Sequence, residues 1–243
     1  MNTGHTATGK QKLYRTTGIL AIIQSVLMAT CFILLAKFFG YPDIIREATG
    51  TILTKLNEGS RVIPVLYYGL TISSLLLIYV SVLLKRVFAN ETNTVWVELG
   101  YVSGVLSGLL FLTGFMRYVI LFPWMADLYV TGAADQKHVE LLFLAFNKYV
   151  GFSVTEHVGF ILLSGMIIFF AIAFLKSKLI HSWISWLGLI IGIGLLYGNT
   201  EILNCPHAFF FNRLATKLAG VWMLIIGISL LLKRSPRNTH VAT

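Results

Sequence analysis

Four ionisable side chains stand out within the apolar segments of this sequence: Glu98, Glu156, His157 and Glu201. A charge at the centre of a membrane helix costs about 2.5–3.5 kcal/mol on insertion scales, so such residues face the protein interior and are functional candidates. Arg117 ends one of the segments and carries a charge that it cannot lose. Carboxylates, an imidazole and a guanidinium in one bundle could bind a polar ligand, relay protons or pair with one another.

Polar side chains also follow two apolar segments at α-helical intervals, which predicts two polar stripes. On the first segment the stripe consists of Tyr149, Ser153, Glu156 and Ser164, with His157 at its edge. On the second it consists of Tyr197, Glu201 and Asn204. Two facing stripes would form either a ligand pocket or a hydrogen-bonded seam between helices. In both cases we expect Arg117 to pair with Glu156 or Glu201. Glu98 is expected to snorkel or to pair locally.

Metal and cofactor chemistry finds little support in the sequence. Glu156 and His157 are adjacent and therefore point about 100° apart on a helix. We expect no metal site, and His157, Glu201 and His207 are only weak candidate ligands. The sequence has no nucleophile elbow, no phosphate-binding loop and no lysine in the middle of an apolar segment for Schiff-base chemistry. The sequence favours a protein that is not an enzyme and has no cofactor.

Membrane-spanning helices must position these residues. Of the 243 residues, 56% are hydrophobic and 12% are charged, whereas soluble domains carry about 25% charged residues. This composition excludes a soluble enzyme and a disordered chain. About 20 apolar residues are needed to cross a bilayer as a helix. Six segments are long enough, at about residues 18–39, 62–84, 95–116, 150–175, 183–203 and 214–232. We predict an all-α polytopic membrane protein, with one six-helix transmembrane domain at 18–232 between tails at 1–17 and 233–243.

Basic residues indicate how the helices are oriented. With six spans, one side of the bundle receives ten of them, namely Lys10, Lys12, Arg15, Lys85, Arg86, Lys176, Lys178, Lys233, Arg234 and Arg237. The only acidic residue on that side is Glu91. Since Lys and Arg stay on the cytoplasmic side of membrane proteins, we predict that both termini are cytoplasmic. The orientation of the helices in the membrane then explains the net charge of +9. We therefore expect no nucleic-acid partner.

Two intervals between the spans are longer than turns. The first, at 41–61, alternates charged and apolar residues and predicts an amphipathic helix on the membrane surface. The second, at 121–148, mixes aromatic and charged residues, and we expect it to lie along the interface as well. Within the third span, Gly100, Gly104 and Gly108 predict close helix packing. A homodimer through the same three glycines is the alternative.

Several motifs resemble one bacterial family. They are Y-P-D-I-I-R-E at 41–47, Arg117 followed by Pro123, A-F-N-K-Y-V-G at 145–151, E-H-V-G at 156–159 and the segment 198–201. Over about residues 18–232, the chain is similar to integral membrane proteins of domain of unknown function 4386. The resemblance implies six helices in a bacterial cytoplasmic membrane and no known activity, substrate or cofactor. It adds Asp43, Arg46 and Glu47 to the candidate site, as loop residues that could cap a pocket.

The favoured function is binding or sensing of a small molecule or lipid, in an outward-facing polar pocket between the third, fourth and fifth spans. The candidate ligand-binding residues are Arg117, Tyr149, Ser153, Glu156, His157, Tyr197, Glu201, Asn204, Asp43, Arg46 and Glu47. The expected partners are the lipid bilayer and this ligand. The alternatives are a proton-coupled small-molecule transporter, an intramembrane metal-dependent hydrolase and a membrane scaffold with no ligand.

Overall fold

Nine α-helices make up most of the computed structural model, which describes residues 3–89 and 94–233. They are α1 Thr3–Phe38, α2 Thr49–Glu58, α3 Ile63–Val87, α4 Thr94–Met116, α5 Phe122–Thr131, α6 Gln136–Phe146, α7 Gly159–Ser177, α8 Ser182–Gly198 and α9 Ala208–Leu232. Two π-helical segments, Arg117–Leu121 and Asn147–Val158, join α4 to α5 and α6 to α7 without a break. Short 3-10 turns cover Asp43–Arg46 and Asn199–Leu203.

Within the described residues, six continuous helices are long and apolar enough to cross a membrane, which confirms the predicted all-α polytopic fold. Their bounds are Gly9–Phe38, Ile63–Val87, Val95–Thr131, Gln136–Ser177, Ser182–Leu203 and Ala208–Leu232. The stretch predicted as an N-terminal tail is already helical from Thr3, because α1 begins there. Glu91, Arg234 and Arg237 lie outside the described residues, as does the predicted C-terminal tail beyond Lys233.

The six spans form a closed ring of neighbours. Each span packs against the next one in the chain, and α9 returns to pack against α1. Gln11 Nε2 donates to the Lys233 carbonyl at 3.0 Å, so the start of the first span and the end of the last meet at one end of the bundle. We call this end proximal and the opposite end distal. The predicted cytoplasmic position of the termini stays a prediction, because the protein alone does not show which side of a membrane each end faces.

Small residues allow the spans to approach closely within one chain. A Cβ added at Gly104 would overlap Ser81 and Met166, and one added at Gly108 would overlap Ile78. At Gly100 it would press on the ring of Phe170, at 3.1 Å from the nearest ring atom. The glycine stripe therefore packs α4 against α3 and α7, as the helix-packing interpretation predicts. The homodimer alternative stays a prediction.

The third and fourth spans are much longer than the sequence indicated. The third continuous helix has 37 residues and the fourth has 42. At 1.5 Å per residue, 37 residues reach about 55 Å, against roughly 30 Å for a bilayer core. The stretch 121–148 is therefore not a separate segment between two spans, and its expected position at the membrane interface stays a prediction. This stretch forms the hairpin of α5 and α6, which continues two spans beyond the distal end of the other helices.

Local signals close this hairpin. Gly132 follows α5 in the left-handed conformation, with φ of 69°, which glycine adopts without a steric penalty. Asp135 is the N-cap of α6, and its side chain accepts a hydrogen bond from the His138 backbone N–H at 3.0 Å. A glycine that ends one helix and an aspartate that caps the start of the next together predict a turn between two helices.

The amphipathic helix predicted within 41–61 exists as α2, but protein covers its apolar face. Ile52, Leu53 and Leu56 are buried in a core shared with α5 and α6. The surface-lying position is therefore corrected, because the long α5–α6 hairpin offers α2 an apolar partner. We call α2, α5 and α6 the distal cap. Within it, Tyr129 Oη donates to Glu140 Oε1 at 2.9 Å, and Gln136 Nε2 donates to the Tyr129 carbonyl at 3.1 Å.

Candidate functional site

Arg117 lies where the bundle meets the distal cap. Its Nη2 donates to Asn147 Oδ1 at 3.3 Å, and the guanidinium covers Gly151, where a Cβ would come within 2.5 Å of Nη2. Aromatic rings adjoin it, with Cζ 5.1 Å from the Tyr118 centroid and 5.5 Å from that of Phe122. The Arg117 Nε and Nη1 atoms are buried without a hydrogen-bond partner in the protein. The Asn147 amide to which Arg117 donates is neutral, and no carboxylate of the described residues lies within 4.0 Å of the guanidinium.

The π-helical segment 147–158 brings Asn147 to this position. In such a helix the backbone bonds reach five residues back, and π turns are often found at functional sites. A side-chain hydrogen bond has the same spacing of five residues, since Thr155 Oγ1 donates to the Val150 carbonyl at 2.6 Å. The buried residues of the segment are Asn147, Gly151 and Thr155.

This register makes the predicted α-helical stripe on the fourth span wrong. Tyr149 is 69% exposed. Ser153 is exposed too, and its hydroxyl donates to the Lys148 carbonyl at 3.3 Å. Neither side chain joins Arg117. The wider turn separates residues that an α-helix would have stacked, so only Glu156 of the predicted stripe remains close to the arginine.

Glu156 is half-buried and lies within electrostatic range of Arg117, Arg46 and Glu201. Across the described residues, however, no ion pair within 4.0 Å includes Glu156 or Arg117. The predicted pairing of Arg117 with Glu156 or Glu201 is therefore wrong. Arg117 bonds to Asn147 instead, and Glu201 has another partner.

That partner is Arg46, whose Nη2 lies 3.0 Å from Glu201 Oε1. The turn that carries Arg46 also carries Asp43, whose Oδ1 is 3.5 Å from Arg213 Nη1. The Phe209 ring lies near both arginines, at 4.3 Å from Arg46 Cζ and 5.3 Å from Arg213 Cζ. These contacts connect the 41–47 loop to the fifth and sixth spans. We call them the distal clasp.

The other candidate residues lie outside these contacts. Glu47 is exposed, and Asn204 ends the 3-10 turn after α8 as an exposed residue. Tyr197 is partly exposed and donates to the Pro206 carbonyl at 2.8 Å. His157 is half-buried, and its carbonyl accepts from Asn199 Nδ2 at 2.8 Å. Their role in ligand binding stays a prediction.

Metal ligation was expected to be absent, with His157, Glu201 and His207 as weak candidates. Among the described residues, no three His, Cys, Asp or Glu side chains come together in a group that could hold a metal ion. His207 is exposed at the start of α9. Glu201 is engaged with Arg46.

Three tyrosines next to Arg117 were not predicted. The Tyr67 and Tyr118 rings stack with centroids 4.0 Å apart and an interplanar angle of 8°. The Tyr67 hydroxyl is buried without a hydrogen-bond partner. Burial raises the pKa of Tyr41 above its usual value; Glu156 adds to the rise and Arg117 opposes it. Tyr41 therefore stays protonated beside the same charged groups.

A tyrosine in an apolar segment is a weak sequence signal, because its ring is equally suited to a core. Asn147 had a stronger signal, as a polar amide within an aromatic motif. We call the assembled group the distal polar cluster: Tyr41, Tyr67, Arg117, Tyr118, Asn147 and Glu156.

Glu98 takes no part in the distal polar cluster. Its Oε2 lies 2.8 Å from Lys85 Nζ at the proximal end, which confirms the expectation of a local pair. The transporter alternative needed an acidic residue to continue a proton path from Glu156 towards the proximal end. Because Glu98 is already ion-paired at the surface, it adds no support to that alternative.

Comparison with known proteins identifies the family of the chain. No curated protein and no solved structure matches the chain at a significant level. The model of one family, described as Domain of unknown function (DUF4386), matches residues 16–233. This match covers most of the chain, including all of the distal polar cluster, so the protein belongs to the family of domain of unknown function 4386.

Proposed function

We propose that this membrane protein binds a small molecule or a lipid headgroup at the distal polar cluster. One observation carries the proposal: the Arg117 Nε and Nη1 atoms are buried and have no hydrogen-bond partner in the protein. A buried donor without a partner costs about 1–3 kcal/mol, and more when it is charged. Native proteins nearly always satisfy such groups, with protein atoms, water or a ligand.

The surroundings of Arg117 suit a binding site. Ligand sites combine apolar and aromatic walls with a few convergent polar groups. Here Tyr118 and Phe122 adjoin the guanidinium, and the Tyr67 hydroxyl is a second buried group without a partner. The distal clasp lies beside the cluster, because Arg46 and Glu201 are both in electrostatic range of Glu156. If the termini are cytoplasmic, this site lies towards the outer side of the membrane.

Ligand-dependent stabilisation of the purified protein tests the proposal. A molecule that binds only the folded state raises the melting temperature in a concentration-dependent manner. A panel of headgroups and small polar metabolites is screened against the wild type, Glu156→Gln and Glu98→Gln. The last is the matched control, since Glu98 undergoes the same change at the opposite end.

We expect at least one compound to stabilise the wild type and Glu98→Gln but not Glu156→Gln. Two outcomes would overturn the proposal. Either no compound stabilises the wild type, or Glu156→Gln fails to fold in detergent while Glu98→Gln folds, which would make the cluster a structural seam.

A further inference from the structure

Arg117 and Glu156 of the distal polar cluster lie within electrostatic range of each other without forming an ion pair. Arg117 and Glu156 interact electrostatically, yet no ion pair within 4.0 Å joins them. The Arg117 Nε and Nη1 atoms have no partner. The carboxyl group of Glu156 likewise has no hydrogen bond or ion pair among the described residues, although its backbone carbonyl accepts from the Gly159 N–H.

The neighbouring charged residues do not supply the missing partners of Arg117 and Glu156. Glu201, the other carboxylate in range, is paired with Arg46 at 3.0 Å. Asp43 is paired with Arg213 at 3.5 Å. Within the cluster and the clasp, this leaves one cation and one anion, Arg117 and Glu156, each with capacity for a further partner.

We propose, on the basis of the proposed function, that the ligand is zwitterionic. Its oxyanion binds Arg117, and its ammonium group binds Glu156. Arginine suits an oxyanion because its guanidinium presents several donors in a fixed plane. A carboxylate accepts only, which suits an ammonium donor.

Charge balance favours a zwitterion over a simple ion. A bound ammonium group favours the ionised form of Glu156, and Arg117 and ionised Glu156 sum to zero. A ligand with a net charge would then leave that charge uncompensated in a site where burial is costly. A zwitterion satisfies both residues and keeps the site neutral. The Tyr67 hydroxyl is an additional donor without a partner, on a ring that stacks on Tyr118 beside the guanidinium.

Two sources supply this chemistry. One is a free molecule such as O-phosphoethanolamine, and the other is the headgroup of phosphatidylethanolamine in the bilayer. The first arm of the test measures the melting temperature of the detergent-purified protein with O-phosphoethanolamine, inorganic phosphate or ethanolamine at matched ionic strength. The second arm compares nanodiscs of phosphatidylethanolamine and phosphatidylcholine with nanodiscs of phosphatidylglycerol and phosphatidylcholine.

We expect O-phosphoethanolamine or phosphatidylethanolamine to raise the melting temperature by about 3 °C or more. Phosphate, ethanolamine and phosphatidylglycerol should have little effect. Arg117→Gln and Glu156→Gln should each weaken binding about 30-fold or more, as expected when one partner of a buried charge pair is removed. Arg61→Gln is the matched control for arginine, because Arg61 is exposed and lies outside the cluster. Glu98→Gln is the control for glutamate.

Stabilisation by either zwitterionic form supports the inference, and the arm in which it occurs identifies the source. Equal stabilisation by phosphate alone or ethanolamine alone overturns the zwitterionic ligand but leaves the proposed function standing. The zwitterionic ligand is also overturned, and the proposed function kept, if a neutral compound from the panel of headgroups and metabolites stabilises the wild type but not Glu156→Gln. If no compound or lipid stabilises the protein, both proposals fail.

Discussion

Arg117 and Asn147 each occupy the first position of a π-helical segment, and Arg117 Nη2 donates to Asn147 Oδ1 at 3.3 Å. The backbone irregularities of the third and fourth spans therefore meet in one polar contact. Tyr118, the residue after Arg117, stacks on Tyr67 of α3. Three spans are thus joined at a single level, where the bundle continues into the distal cap.

Replacing Tyr67 with phenylalanine should leave the free energy of unfolding unchanged or raise it by up to about 1 kcal/mol. The Tyr67 hydroxyl is buried without a partner, and removing such a group relieves its desolvation cost. The ring stack on Tyr118 is kept. Tyr67→Ala should instead lose about 3–5 kcal/mol, as large-to-small core changes do. Thermal melts of both variants in one detergent measure the difference, and a large loss for Tyr67→Phe would mean that the hydroxyl has a partner in the folded protein.

The Arg46–Glu201 pair should contribute little to stability. Its two side chains are 52% and 36% exposed, and exposed pairs contribute about 0.2–1 kcal/mol. A double-mutant cycle with Arg46→Ala and Glu201→Ala measures the coupling at low and at high salt. We expect a coupling below about 1 kcal/mol that falls as salt screens it. Asp43 and Arg213 serve as the comparison pair, and their longer separation of 3.5 Å predicts a smaller coupling. A salt-independent coupling of several kcal/mol would contradict the prediction.

Asp135→Ala should destabilise the distal cap by about 0.5–2 kcal/mol, because it removes the N-cap of α6. Asp135→Asn is the control, since asparagine caps nearly as well. Hydrogen exchange reports the effect locally, with faster exchange expected at the first amides of α6 in Asp135→Ala alone. Equal exchange in both variants would show that the hydrogen bond to the His138 amide does not hold this helix end.

Cysteine labelling in intact cells tests the predicted orientation. Residue 52 is unsuitable for labelling because Ile52 is 2% exposed. Cysteines at Thr51 and Val130, both exposed in the distal cap, should react with a membrane-impermeant maleimide, and one at Lys178 should not. Cys205 is replaced with serine beforehand, because it is only partly buried. Labelling of Lys178→Cys together with protection of Thr51→Cys would place the termini outside.

Much of the fold could be predicted from the sequence, because spanning a bilayer is a matter of apolar length. Six segments of sufficient length predict six helices, and the glycines at 100, 104 and 108 indicate where α4 packs closely. The hairpin of α5 and α6 was also within reach, since Gly132 and Asp135 are recognisable helix-ending and helix-starting residues. The hairpin was not predicted, because aromatic and charged residues near the end of a span are also typical of a segment at the membrane interface.

The candidate site could be predicted only in part. Arg117, Glu156 and Glu201 were identified because charged residues near apolar segments are rare, and Arg46 was added by the family resemblance. Arg117, Arg46 and Glu201 all lie within electrostatic range of Glu156. Their partners could not be predicted. The π-helical register of 147–158 turns Tyr149 and Ser153 away and brings Asn147 to Arg117.

By itself, the sequence determined the helical membrane-spanning architecture and the residues whose burial needs an explanation. Only the tertiary structure decided which of those residues meet. The physical reason is that apolar length and charge are properties of a segment alone, whereas a contact depends on the depth and rotation of two helices. Arg117 and Asn147 meet because two π-helical segments set that rotation, and Glu201 is taken by Arg46 because a short turn brings the 41–47 loop across the end of the bundle.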